Sequence, residues 1–148
     1  WYFHSWKGNE EKSGGIAANI GVHFFDMLQY IFGSIENNVV HYRSESRASG
    51  YIEFERAEVS WFLSLNFEDI PDALKKAGQG TFRSIRIGGQ NIEFSDGFDD
   101  LHTRSYQEIL NGFGFGLEES RVAIETVDHI RFAELETKGP RHPLLVKS

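Results

Sequence analysis

Between about Asn38 and Asp96 the apolar residues stop recurring every three or four positions and begin to recur every second one. Segments with helical spacing bracket that stretch, one from about Ile16 to Phe32 and others from Leu101 onward. A period of two places alternate side chains on opposite faces of a strand, whereas residues three and four apart share a helix face. The order helix, run of strands, run of helices predicts an α+β chain: an open, mostly antiparallel β-sheet with helices packed on one face.

Five segments carry the strand signal: "VVHYRSES", "YIEFE", "AEVSWFLSLNF", "TFRSIRI" and "QNIEFSD". They are rich in the β-branched and aromatic residues that suit a pleated, half-buried surface. In the third, Val59, Trp61, Leu63, Leu65 and Phe67 form the expected buried face, with Phe62 on the other. Gly88 and Gly89 read as a two-residue hairpin turn, so the pairing is expected to be antiparallel. "EDIPDALKKAGQG" reads as a loop with room for one helical turn.

On the helical side, Ile20, Phe24, Met27, Leu28 and Ile31 form the first predicted stripe, ended by Gly33. Residues 1–15 read as an extended arm and loop, closed by a tight turn at Ser13, Gly14 and Gly15. Leu101, Ser105, Glu108 and Ile109 lie at helical offsets, with Asp99 or Asp100 placed to cap. The last helix carries Ala123, Ile124, Val127 and Ile130 as its stripe, with Glu118 and Glu119 favouring the positive end of its dipole. "KGPRHP" breaks it, and "LLVKS" forms a short apolar tail.

Length bounds the architecture further, since 148 residues suit one compact domain. The absence of cysteine excludes disulfides and thiolate metal sites, and makes a reducing, cytoplasmic setting the simpler expectation. No apolar run approaches the roughly 20 residues that a membrane span needs, and no leader pattern opens the chain. A formal charge of −7, from 22 acidic and 15 basic residues, argues against nucleic acid as a partner. Any anionic ligand would have to be held by a few local donors. The opening "WYFHSWKGNEEK", aromatic-rich and without methionine, reads as a cut through a longer chain.

The chemistry concentrates on the first helix. Asn19, His23, Asp26 and Tyr30 are spaced to form a polar stripe beside the apolar one. An imidazole titrating near neutrality suits proton transfer, and an asparagine one turn away can orient it or a sugar hydroxyl. The spacing alone leaves open a second reading, in which His23 merely hydrogen-bonds Asp26 or backbone. Trp6 and Lys7 likewise read either as a stacking and charge-pairing contact or as an arm packed on the domain. The six histidines, His4, His23, His41, His102, His129 and His142, contain no metal-ligating pair, so no metal is expected. His129, near a helix C-terminus, is explained by the dipole. "GFGFG" at 112–116 follows a helix rather than a strand and is no dinucleotide fingerprint.

"GGIAANIGVHFFD" resembles the segment that opens the C-terminal domain of the Gfo/Idh/MocA family of NAD(P)-dependent sugar oxidoreductases. The strand run and the late "DLHTRSY…GFGFGLEESRVAIETVDHIR" are similar to the rest of that domain. The whole opening segment looks closest to the branch that oxidises UDP-N-acetylglucosaminuronic acid at C3 in lipopolysaccharide sugar synthesis. The resemblance implies that an N-terminal Rossmann domain, not in this chain, binds NAD and supplies a catalytic lysine. The family's DxxxH-type pair then falls on Asn19 and His23. Because an asparagine cannot relay a proton, it is assigned to positioning, and His23 to acid/base work on the hydroxyl being oxidised. Asp26 would support the helix.

The same resemblance makes Gly14 and Gly15 a place where backbone approaches ligand, with free N–H groups favouring anions, and puts Ser13 beside them. Lys7 becomes the candidate for a uronate carboxylate or phosphate; His102 and Tyr106 become further substrate contacts. Phe62 and similar apolar positions on the far face of the sheet suggest a homo-oligomer. Two rivals remain: an inositol or simple-hexose dehydrogenase of the same family, and a non-catalytic binding or scaffold module in which His23 is simply packed.

Overall fold

The computed structural model describes residues 2–95, 100–114 and 116–146. Two 3-10 turns (Tyr2–His4 and Trp6–Gly8) lead into α1 (Glu10–Ser13), and a π-helical turn (Ala17–Gly21) runs on into α2 (Val22–Phe32). Strands β1 (Ile35–Arg43), β2 (Arg47–Phe54) and β3 (Ala57–Ser64) follow. A 3-10 turn (Phe67–Asp69), α3 (Asp72–Lys76), β4 (Ser84–Ile87), β5 (Gln90–Glu93), α4 (Leu101–Leu110), α5 (Leu117–Phe132) and α6 (Pro143–Val146) complete the order. The α+β expectation holds, and every strand pair in the two sheets is antiparallel. Where length alone suggested one domain, the chain divides into two compact units: Trp1–Leu65 with Leu117–Ser148, and Asn66–Gly116. The five strands accordingly form two sheets, β1-β2-β3 and β4-β5.

In the first unit, Gly50 pairs with Trp61 and Ile52 with Val59, so these residues share the face that α2 and α5 cover. Phe25 of α2 meets the Trp61 ring edge-on, with centroids 5.3 Å apart. Phe25, Val40, Ile52 and Ile130 are fully buried there, each stabilising by roughly 2 kcal/mol through removal from water. Gly21 permits the approach, since a Cβ at that position would lie 2.6 Å from the Phe25 ring and 2.9 Å from Leu63.

The opposite face is not the open apolar patch expected around Phe62. Residues 138–142 cross it: Lys138 O lies 2.6 Å from His41 Nε2, Ser60 Oγ donates to Pro140 O at 2.9 Å, and His142 stacks on Phe62 at 5.5 Å. Tyr51 and Ser49 are buried under this crossing. Phe62 is thus partly covered within the chain and stays half-buried, while Tyr42 is exposed.

The first helix is rotated from its expected register. Ile16, Ala17, Gly21, Phe25 and Leu28 are buried, whereas Ile20, Phe24 and Met27 are only half-buried and Ile31 is exposed. The buried positions 17, 21, 25 and 28 keep helical spacing, so the stripe is displaced by about one residue from the expected one. On α5, Thr126 is buried and Ile124 exposed, the reverse of expectation. Thr126 tolerates burial because its hydroxyl donates to Val122 O at 2.7 Å and accepts from Gln29 Nε2 at 3.1 Å. The amino-terminal arm is not extended. Ser5 accepts from Lys7 N, and Asn9 accepts from Lys12 N at 3.0 Å, and these local caps wind it into short helical turns.

The second unit contains the β4–β5 hairpin, in which Gly88 and Gly89 both take positive φ (56° and 84°) as a two-residue turn requires. Arg83 ties the hairpin ends by donating to Ser95 O at 2.8 Å. Asp99, one expected cap of α4, lies outside the described residues; Asp100, the other, has φ 62° and makes no side-chain cap.

Candidate functional site

The π turn presents Asn19 at the meeting point of three backbone segments. Its Nδ2 donates to Gly15 O at 2.8 Å, to the Tyr2 hydroxyl at 3.1 Å and to Ser13 O at 3.4 Å. The amide thus pins the arm and the glycine turn to the start of the helix. Burial raises the Tyr2 phenol above its usual pKa, the Asn19 hydrogen bond partly offsets that, and nearby Glu10 adds to the rise.

His23 follows one turn later and is exposed. Asp26 is exposed too, and among the described residues no hydrogen bond joins the two. Among the described residues His23 is thus neither packed nor bonded to Asp26. An exposed imidazole thus follows an asparagine that three hydrogen bonds hold in place.

Ser13 and the glycine pair shape the turn. Ser13 Oγ donates to Lys7 O at 2.8 Å and accepts from Gly15 N at 3.1 Å, while Gly14 N donates to Glu10 O at 2.9 Å. Both glycine N–H groups are committed to these bonds. The glycines answer a conformational need, with φ of 77° and 73°. At Gly14 a Cβ would also stand 2.6 Å from Ala18 Cβ and 3.6 Å from the Arg131 guanidinium carbon.

Lys7, half-buried, lines a cavity of about 80 Å³ together with Tyr2, Glu10, Gly14, Gly15 and Arg131. Trp6 leaves 61% of its surface exposed and is not packed on the domain, which keeps it available for stacking. Lys7, Ser13, Gly14, Gly15 and Asn19 are thus gathered in one place, with His23 along the helix. His102 and Tyr106 belong to α4 of the second unit, where both are exposed one turn apart. Among the described residues no group of three histidine, aspartate or glutamate side chains could hold a metal ion. No helix there is long and apolar enough to cross a membrane. His129 does more than face a helix dipole, its Nε2 lying 2.9 Å from Asn38 O of β1.

Sequence spacing missed two contributors. Tyr2 supports Asn19 from the arm, across 17 positions, and no local pattern could have shown that. Arg131 reaches the same cavity from the end of α5, a convergence that no local pattern marks.

Residues 1–71 match the model of an oxidoreductase family's C-terminal alpha/beta domain, that of the Gfo/Idh/MocA family. Two crystal structures of the WlbA (WbpB) dehydrogenase from Thermus thermophilus superpose with a TM-score of 0.90 at 46% sequence identity. One is a complex with NAD and alpha-ketoglutarate, the other with NAD and UDP-GlcNAcA. Each match covers 97% of this chain and 47% of the solved one, so the chain spans about half the length of these relatives.

Proposed function

The chain belongs to the Gfo/Idh/MocA oxidoreductase family, and we propose that it is the C-terminal, substrate-binding half of an NAD-dependent sugar-nucleotide dehydrogenase. Its proposed substrate is UDP-N-acetylglucosaminuronic acid, oxidised at the C3 hydroxyl, as a step in lipopolysaccharide sugar synthesis. The observation that carries this reading is the 46% identity, over 97% of the chain, to a dehydrogenase solved with NAD and that uronate.

The chain's own residues do not fit the cofactor's phosphates: the glycines at 112 and 114 follow α4 and precede α5, and no strand leads into them. NAD is therefore assigned to an N-terminal domain, where it supplies the hydride acceptor. This chain supplies the other half of alcohol oxidation, removal of the hydroxyl proton. His23 takes that proton, since its exposed, unpartnered imidazole can accept a hydrogen bond from a bound hydroxyl. Asn19, already committed through its Nδ2, keeps the turn before His23 in register and can offer its carbonyl oxygen to the substrate. Lys7 provides local positive charge for the anionic sugar in a protein of net charge −7. Trp6 offers a face for stacking.

The test is absorbance at the NADH band, using the full-length parent with NAD and UDP-N-acetylglucosaminuronic acid, with and without an added 2-oxo acid to reoxidise a retained cofactor. Turnover lost in His23→Ala supports the reading. A folded parent inactive under both conditions refutes the substrate assignment, and full activity in His23→Ala refutes the role of the histidine.

A further inference from the structure

Arg131 lies in the last turn of α5, where a cation is ordinarily explained by the helix C-terminus. That task belongs to another residue. Arg43, from the inner face of β1, donates through one Nη to Ile130 O at 2.8 Å and to Ala133 O at 3.1 Å, satisfying the carbonyls that the helix end leaves free. Arg131 turns aside instead, its guanidinium packing over the Phe132 ring at 4.9 Å and against Gly14.

Its Nε is buried without a hydrogen-bond partner among the described residues. Glu10 and Glu45 line the same cavity, yet neither forms an ion pair with Arg131. A buried guanidinium donor left unmatched is costly, and its planar fork of donors fits a carboxylate or phosphate. Lys7 lines the cavity from the arm, and Gly14, lacking a Cβ, leaves room beside the guanidinium. Three cationic side chains, Lys7, Arg43 and Arg131, thus converge from three separate elements on one small space.

We propose that this cavity is the subsite for the substrate's anionic group, and that Arg131 is the residue that grips it. The inference rests on the sugar-nucleotide reading and adds a specificity-determining residue to it. The shared chemistry is an oxyanion, which a uronate carboxylate or the nucleotide diphosphate could supply.

Isothermal titration of the full-length parent with UDP-N-acetylglucosaminuronic acid, UDP-N-acetylglucosamine, free glucuronate and inorganic phosphate separates these sources. Arg131→Gln is expected to weaken binding of the uronate nucleotide about tenfold or more, and Arg131→Lys by less, since lysine keeps the charge but loses the fork. If the carboxylate is the group held, UDP-N-acetylglucosamine binds both variants as it binds wild type, and the preference for the uronate disappears. If the diphosphate is held, both nucleotides weaken together. Variants with wild-type melting temperatures and unchanged affinity for all four ligands overturn the subsite while leaving the substrate reading intact. A wild-type parent that binds neither nucleotide overturns the substrate reading. The subsite then stands only if glucuronate or phosphate binding is measurable and lost in Arg131→Gln, and falls otherwise.

Discussion

Replacing Asn19 by alanine removes three hydrogen bonds at once, to Gly15 O, the Tyr2 hydroxyl and Ser13 O. Two of the acceptors are backbone carbonyls of a partly buried turn, and water can replace only some of what they lose. At about 1 kcal/mol net for a typical hydrogen bond, and less for the 3.4 Å contact, the expected destabilisation is roughly 2 kcal/mol. For a domain of this size that corresponds to a fall in melting temperature of about 4–8 °C. Asn19→Asp is the sharper variant. It restores the acceptor of the family's DxxxH pattern but presents a carboxylate to two carbonyl oxygens, so only the Tyr2 hydroxyl can still donate to it. Asn19→Asp is therefore expected to melt below wild type, and, if a carboxylate is not needed for proton transfer, to gain no activity. Calorimetric melting of both variants, with NADH production by the full-length parent, decides it. Melting within 1 °C of wild type for both would refute the assignment of Asn19 as the pin of this turn.

Three further outcomes are expected. The 148-residue chain alone should show no NADH production with the UDP-sugar and NAD; turnover by it would refute the division of labour with an N-terminal domain. Burial lowers the pKa of His142, which stacks on Phe62, so its contribution to stability is present above the unfolded value of about 6.5 and is lost as pH falls through the lower folded value. Melting temperature should drop between pH 7 and 5, and His142→Phe should flatten that slope; an unchanged slope removes His142 as its source. Burial, then hydrogen bonds to Glu58 and Glu53, raise the Tyr51 phenol, so its contribution is full below pH about 10 and is lost on further alkalinisation. Tyr51→Phe should lessen the loss of stability measured between pH 9 and 11.

Much of the fold was legible because its signals are local. The two glycines of the hairpin, the alternation around Trp61 and the two glutamates in the first turn of α5 each act within a few residues. Asn9, followed by two glutamates, carried an N-cap signal for α1 that reading residues 1–15 as an extended arm overlooked. The misjudged positions depend on non-local facts. Phe62 is covered by a segment some 80 positions away, and Thr126 is buried only because Gln29 satisfies its hydroxyl from another helix. The displaced register of the first helix goes with a contact from elsewhere in the chain, Phe25 against Trp61 of β3.

That π turn links the fold to the chemistry. The helix that continues from it buries Phe25 against Trp61 and leaves Phe24 half-buried. Within the turn itself Asn19 meets the glycine turn and the Tyr2 hydroxyl, while His23, one turn on, is exposed. Packing fixes one side of the helix and leaves His23 exposed on the other. The arm is part of the same device, since Tyr2 meets Asn19 and Lys7 lines the cavity that Arg131 enters from α5. A substitution that straightened the π turn would therefore move the core contact and the candidate catalytic face together, and its effects on stability and activity should not be separable.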